Sequence, residues 1–268
     1  MLPYPNIDPE IVRIGPVAIR WYGVMYIVGF VSSYLLVRHQ MKHPPRRTVE
    51  RPPEFPPGFL DALYLYIVTG LIIGARLGYV LFYDLSAYLR DPFAVFALWR
   101  GGMSFHGGLI GVVIAGWWCC RRFRVNPLRA ADLVVVTAPI GLGLGRIGNF
   151  INAELYGRVA GVPWAMVFPG GGPLPRHPSQ LYEFLLEGVA LFTILWLCRG
   201  RGWRPGMLGS LFLVLYGVFR FFVEFFREPD PQLGFILGPF TMGQALSASM
   251  IVLGGFAALL IRRRKVHE

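Results

Sequence analysis

Charge is scarce in this chain: only 15% of its 268 residues are charged, and Asp and Glu number 15 against 26 Lys and Arg. With 54% hydrophobic residues, it has too little polar surface for a water-soluble domain of this length, and a bilayer is the expected solvent. The formal net charge of +11 would suit a nucleic-acid binder. The arginines, however, sit in short clusters between apolar runs of about 20 residues, a topology signal and not a DNA-binding face. Cysteine is nearly absent as well. Cys119, Cys120 and Cys198 lie at the ends of apolar runs beside Arg clusters, with no CxxC spacing and no His nearby, which argues against a disulfide framework or a thiolate metal site. No HExxH, GxSxG or P-loop pattern occurs, so metalloprotease, serine-hydrolase and nucleotide-hydrolase readings have no support. No internal repeat points to an inverted-repeat transporter. No basic segment precedes the first apolar run. The basic cluster follows it, as in a retained first span.

Seven apolar stretches are present, roughly Val17–Val37, Leu60–Phe82, Phe105–Cys119, Leu133–Phe150, Leu181–Cys198, Met207–Phe226 and Met242–Ile261. None is strongly amphipathic at the 3.6-residue period, as expected when lipid covers one face. The expected fold is all-α, a multi-pass transmembrane helical bundle forming a single integral membrane domain over residues 1–268. The Pro-rich stretch Pro44 to Pro57 reads as a cytoplasmic linker. Residues 152–179, with their Gly170-Gly171-Gly172-Pro173 turn, read as a small external cap.

Loop cations set the orientation. Arg38, Lys42, Arg46, Arg47 and Arg51 follow span one; Arg121, Arg122, Arg124 and Arg129 follow span three; Arg199, Arg201 and Arg204 follow span five; Arg262, Arg263, Arg264 and Lys265 follow span seven. Against these sixteen, the alternate segments hold only Arg13, Arg90, Arg100, Arg158, Arg176 and Arg227. The N-terminus is therefore expected outside and the C-terminus in the cytoplasm.

Ionisable side chains within spans cost several kcal/mol unless they face protein or water, so each needs a reason. With this orientation they share one level near the outer face: Tyr22, Arg76, His106, Arg146 with Asn149, Gln180 with Glu183, and Arg220, Glu224 and Arg227. Tyr216, Arg220, Glu224 and Arg227 share a helical face, as do Arg146, Asn149 and Asn152. Arg220 with Glu224, and Arg76 or Arg146 with Glu183 or Glu187, can be read as structural ion pairs that tie the bundle together. Arg146 and Arg227 are better read as a bidentate clamp for a phosphate at the headgroup level. His106 lies between glycine pairs, Gly101-Gly102 and Gly107-Gly108, that allow close approach; its imidazole titrates where a catalytic base is useful. Gly143-Leu144-Gly145-Arg146-Ile147-Gly148 fits the dinucleotide pattern GxGxxG, but it lies late in a membrane helix with no βαβ unit around it. Gly141 and Gly145 fit small-xxx-small helix packing instead.

The stretch Gly145-Arg146-Ile147-Gly148-Asn149-Phe150-Ile151-Asn152-Ala153-Glu154-Leu155-Tyr156-Gly157 resembles the signature of the bacterial prolipoprotein diacylglyceryl transferases. Trp21-Tyr22-Gly23, Gly74-Ala75-Arg76, the His106 segment, His177 to Glu183 and Val223 to Asp230 are similar to family segments in the same order. The likeness covers the chain except the Pro-rich linker and the charged tail. It implies a seven-span enzyme of the bacterial cytoplasmic (inner) membrane, working without metal or organic cofactor. The implied activity moves the diacylglyceryl group of phosphatidylglycerol to the lipobox cysteine of a prolipoprotein signal peptide. That step forms a thioether and releases glycerol phosphate, the first step of lipoprotein maturation; membrane lipid is the other partner and nucleic acid is none. The resemblance implies substrate binding by Arg146 and Arg227 and essential roles for Tyr22, His106, Asn149, Glu154 and Gly157. Arg76 and Glu183 are further substrate-binding candidates. His106 is the candidate thiol base, with Tyr22 or Glu154 as alternates. Two rivals remain on the residues alone: a transporter or channel for an anionic solute, and an assembly protein whose polar level only joins helices.

Overall fold

A computed structural model describes residues 2–5, 7–15, 17–43, 55–228, 235–238 and 240–263. Most of the Pro-rich stretch Pro44 to Pro57 and the tail beyond residue 263 lie outside the described residues. The described chain is mostly helical and divides into two compact units, residues 53–130 and residues 1–52 with 131–268. Four helical stretches are long and apolar enough to cross a membrane: Trp21–Lys42, Phe59–Phe82, Ser179–Cys198 and Met242–Arg263. A fifth is formed if Pro127–Val135 and Ala138–Ile151, bent by 43°, make one span.

In the unit of residues 53–130, helix α2 (Phe59–Phe82) pairs with α4 (Phe105–Phe123), and the short α3 (Leu85–Arg90) lies between them in sequence. The pairing rests on glycine. A Cβ on Gly74 would strike the Gly107 carbonyl and the Gly111 backbone, and one on Gly111 would strike the Gly70 carbonyl. Gly70, Gly74 and Gly78 thus face Gly107 and Gly111 in a small-xxx-small contact that brings backbone to backbone, the kind of packing that holds helices together where lipid supplies no hydrophobic drive. Ser104 starts α4 as its N-cap, accepting from the Gly107 amide at 3.3 Å.

In the other unit, an antiparallel hairpin of β1 (Glu10–Ile14) and β2 (Val17–Arg20) leads into α1 (Trp21–Lys42). The first span was expected to begin at Val17. The ladder pairing of Val17 with Ile14 and Ala18 with Arg13 takes up those backbone groups, and the helix begins four residues later. Helix α1 packs on α6 (Ala138–Ile151), where the Ser33 and Thr137 hydroxyls bond at 2.6 Å and a Cβ on Gly29 would sit 3.1 Å from Gly141 Cα. Gly145, expected to share that packing, has open space beside it; Gly143 meets Gly188 instead. The stretch expected as one span over Leu133–Phe150 is broken into α5 (Pro127–Val135) and α6. Pro139 supplies no amide and suits the first turn of a new helix, which places the break just ahead of it.

The span Ser179–Cys198 is built from α7 (Ser179–Glu183), a wider π-helical stretch Phe184–Ala190, and α8 (Leu191–Cys198). Helix α9 (Met207–Val223) ends three residues before the expected Phe226 and runs into a turn. Asp132 accepts from the amides of Gly206 (2.7 Å) and Gly209 (2.9 Å), satisfying donors at the start of α9 that its own helix cannot reach. A second hairpin, β3 (Phe235–Leu237) and β4 (Phe240–Thr241), precedes α10 (Met242–Arg263). The two small hairpins are additions to the all-helical expectation. Val136, Leu191 and Leu195 are wholly buried and anchor the apolar core, with Trp196, Leu208 and Phe212 around them.

Replacing Gly74 by Val should lower the melting temperature in detergent by overpacking worth about 1–3 kcal/mol. Gly116→Ala, with open space at its Cβ, should leave it unchanged or slightly raised. Equal melting temperatures for the two variants would remove the close-contact account.

Candidate active site

Six charged side chains converge in the unit formed by residues 1–52 and 131–268. Glu183 and Glu187 come from the fifth apolar stretch, Arg146 from α6, Arg220 from α9, and Glu224 and Arg227 from the turn after it. Glu183 is the hub. Arg146 Nε lies 2.6 Å from it, Arg227 Nη1 2.9 Å and Arg220 Nη1 3.1 Å. Glu187, one turn deeper, stands 3.6 Å from Arg146 and 3.7 Å from Arg220. Glu224 meets Arg220 at 3.0 Å and Arg227 at 3.4 Å, and accepts from the Thr241 hydroxyl of β4 at 3.0 Å. The side chains of Glu183 and Glu187 are 1% and 0% exposed, whereas those of Arg146, Arg220 and Arg227 keep 20%, 16% and 16%. The acids are therefore the more deeply buried half of the cluster, and the arginine side chains are the half that keeps some exposure.

Beside this cluster α6 runs out into a strained turn. Ala153 and Leu155 adopt φ of 54° and 57°, the left-handed region that costs a residue with a Cβ about 1–2 kcal/mol. Local bonds hold it there. Asn152 N donates to Gly148 O and Glu154 N to Asn149 O, both at 3.0 Å, while Gln180 Nε2 reaches Glu154 O at 2.7 Å and Ser179 Oγ reaches Leu155 O at 3.1 Å. The turn exposes the Glu154 side chain and binds one of its oxygens: Asn149 Nδ2 donates to Oε1 at 2.8 Å and Asn152 Nδ2 at 3.1 Å. A carboxylate oriented through one oxygen presents the other to a proton or a substrate donor. Tyr22 packs its ring against Gly148, where a Cβ would collide with it, and bonds the Tyr26 hydroxyl at 3.2 Å. It lies close enough to Glu154 and Arg146 to interact with their charges.

Gly157 closes the turn onto the segment of Arg227. The two residues form an antiparallel bridge, Gly157 N donates to His177 O at 2.9 Å, and Arg158 N donates to Phe226 O at 2.9 Å. A Cβ at residue 157 would meet Phe226 O and both His177 Cβ and His177 O, so any other residue would push the Arg227 segment away. His177 itself ends a short chain of bonds. Trp164 Nε1 donates to the Tyr182 hydroxyl at 2.6 Å, and that hydroxyl lies 3.0 Å from Nδ1 of the His177 imidazole. Burial holds its pKa below the usual imidazole range, in keeping with the neutral form.

Tyr22, Arg146, Asn149, Glu154, Gly157, Glu183 and Arg227 are thus brought together. Arg76 and His106 belong to the unit of residues 53–130. His106 stands exposed at the start of α4, its ring edge-on to Phe105. Arg76 is buried, and its guanidinium donates to the carbonyls of Ala94, Val95, Ala97, Gly101 and Gly102 at 2.5–3.3 Å, with Tyr88 stacked 5.1 Å away. Its five donors are matched by five carbonyls, so Arg76 shapes residues 94–102 and has none left for a phosphate. Among the described residues no three of His, Cys, Asp and Glu converge as a metal ion would need. Sequence reasoning left Arg220 as a pair with Glu224 alone and gave no role to Thr241 or Asp132. The i,i+4 stripe from Tyr216 to Glu224 carried the signal for Arg220; β4 and the capping contact left none.

Because one carboxylate serves three arginines, Glu183→Ala should destabilise the protein by about 3–5 kcal/mol in detergent unfolding. Glu228→Ala, which removes an exposed partner of Arg176, should cost about 0–1 kcal/mol. Similar losses for both would show that Glu183 is not the hub.

The chain matches the family model described as prolipoprotein diacylglyceryl transferase over residues 9–260. Curated relatives named phosphatidylglycerol–prolipoprotein diacylglyceryl transferase include one from Coxiella burnetii, 52% identical over 266 residues and 99% of each chain. Another, from Geobacter sulfurreducens, is 52% identical over 264 residues and 98% of each chain. A third, from Pseudomonas aeruginosa, is 52% identical over 256 residues, 95% of this chain and 93% of its own. With the signature turn and its arginines assembled in one unit, the chain belongs to the prolipoprotein diacylglyceryl transferase family.

Proposed function

We propose that this chain transfers the diacylglyceryl group of phosphatidylglycerol to the lipobox cysteine of a prolipoprotein. The observation that carries the chemistry is the set of three arginines, each keeping part of its side chain exposed, gathered on buried Glu183 beside the Glu154 turn. In the reaction the thiol loses its proton, sulfur bonds to the glyceryl carbon, and the carbon–oxygen bond to phosphate breaks with its electron pair leaving on glycerol phosphate. Charge grows on that phosphate, and cationic donors fixed in a site poor in water stabilise it most where it grows. Arg146 and Arg227 fill this role, with Arg220 behind them and Asn149 holding Glu154 in place. Glu183 acts through the arginines and Arg76 through the segment 94–102. His106 is our candidate for the thiol base, as an exposed imidazole flanked by glycines. Glu154, with one oxygen unclaimed by Asn149 and Asn152, and Tyr22 are the alternates.

The membrane arrangement belongs to the same reading. Adding α4, at 19 residues, and α9, at 17, to the four long helices and the bent pair yields seven spans. The arginine-rich loops would then lie in the cytoplasm of a bacterial cell, residues 152–179 would form the external cap, and the site would open at the outer leaflet.

Purified protein in detergent, supplied with phosphatidylglycerol labelled in its diacylglyceryl group and a lipobox peptide, should yield labelled thioether. Arg146→Gln and Arg227→Gln should each lower kcat/KM by about 100-fold or more. His106→Gln should lower kcat with KM for phosphatidylglycerol nearly unchanged, as expected when a group that acts only in the chemical step is lost. Full activity in the Arg146 variant would discard the clamp. Absence of any labelled peptide with the unaltered protein would favour an anion carrier or an assembly protein.

A further inference from the structure

The segment ahead of β1 reaches back over the end of α6. Tyr4 Oη donates to Phe150 O at 2.6 Å and lies 3.2 Å from Ile151 O, so one hydroxyl serves two of the last carbonyls of the helix. Its ring is wedged between Phe150 (centroids 5.4 Å apart) and Phe168 (5.1 Å), and Leu2 N donates to Ala165 O at 3.1 Å. The carbonyls it holds directly follow, and at Phe150 coincide with, those that hold the turn: Gly148 O and Asn149 O take the amides of Asn152 and Glu154, and Phe150 O also takes the amide of Ala153. Two residues of that turn sit at left-handed φ without being glycine, a conformation that persists only where its surroundings over-determine it. Most restraints on the turn come from Asn149 and Asn152 within it, or from Ser179 and Gln180 at the next helix start. Tyr4 adds a restraint from the N-terminal segment, through the last turn of α6.

We propose that Tyr4 is a positioning residue: by clamping the Phe150 and Ile151 carbonyls it fixes the last turn of α6, and with it the orientation of Asn149 and the Glu154 carboxylate. The segment of residues 2–5 then acts as a strap whose hydroxyl tunes the chemical step without touching the substrate. This rests on the transfer reaction proposed above.

Tyr4→Phe keeps the ring between Phe150 and Phe168 and removes only the hydroxyl. In the labelled-lipid assay kcat should fall about fivefold, the worth of one neutral hydrogen bond, with KM for phosphatidylglycerol and the melting temperature nearly unchanged. Tyr4→Ala should show the same loss of kcat and a lower melting temperature as well. Hydrogen exchange at the amides of Asn152, Ala153 and Glu154 should be faster in Tyr4→Phe than in the unaltered protein. That measurement needs no turnover, so it decides the strap even if the unaltered protein transfers nothing, an outcome that would sink the transfer reading alone. Unchanged exchange at these amides, or unchanged kcat in an active protein, would overturn the proposal. So would a loss of kcat that appears only in Tyr4→Ala and follows its melting temperature.

Discussion

Three guanidinium groups gathered together out of water repel one another and need opposite charge within reach, delivered from more than one stretch of chain. This constraint organises the unit that carries the site. Arg146, Arg220 and Arg227 each lie within 3.1 Å of Glu183, and Glu187 and Glu224 make up the remaining balance. In a low-dielectric interior a lost partner leaves an uncompensated charge, which destabilises far more than a lost apolar contact. The fifth apolar stretch, α6 and α9 are accordingly fixed in register by charge, while glycine contacts such as Gly143 against Gly188 set how closely they approach. In lipid, where apolar surface alone does not drive helices together, these two devices do much of what a hydrophobic core does in a soluble protein.

The same arrangement suits a site that must stabilise a departing anion. The carboxylates hold the arginines in place before any substrate arrives, so little reorganisation is left for the moment of reaction. They also neutralise the cluster, which keeps it from binding every passing phosphate with the full strength of three free cations. Differential stabilisation favours this compromise: interactions that strengthen as charge develops raise the rate, and those equally strong for the bound lipid do not.

Much of this was legible in the sequence. The helices Phe59–Phe82, Ser179–Cys198 and Met242–Arg263 fall within a few residues of the apolar runs, because lipid imposes length and hydropathy directly on the chain. Arg146 with Glu183, and Arg220 with Glu224, were readable as intramembrane charges on matching faces. What escaped were interactions whose other half is backbone. Arg76 was expected near a substrate, and five carbonyls hold it instead; a carbonyl is present at every residue and marks none of them. Asp132 at the start of α9 and Tyr4 at the end of α6 escaped for the same reason. The β1–β2 hairpin was hidden by its own apolarity, since Val17, Ala18 and Ile19 extend the hydrophobic run that α1 continues.

The π-helical stretch Phe184–Ala190 lies between the two halves of one span, with Glu183 just before it and Glu187 inside it. Such a stretch accommodates one residue more than an α-helix would over the same rise, and it sets the angular phase between everything above and everything below. Above it Glu183 faces the arginines; below it Leu191 and Leu195 face the apolar core. A further residue inserted there, with no second widening to absorb it, would turn one half against the other by roughly 100°, so that either the acid or the leucines would face the wrong neighbours. Length in this span is consequently less free to grow than identity is to vary, and an insertion at Phe184–Ala190 would disrupt more than most substitutions at the same positions.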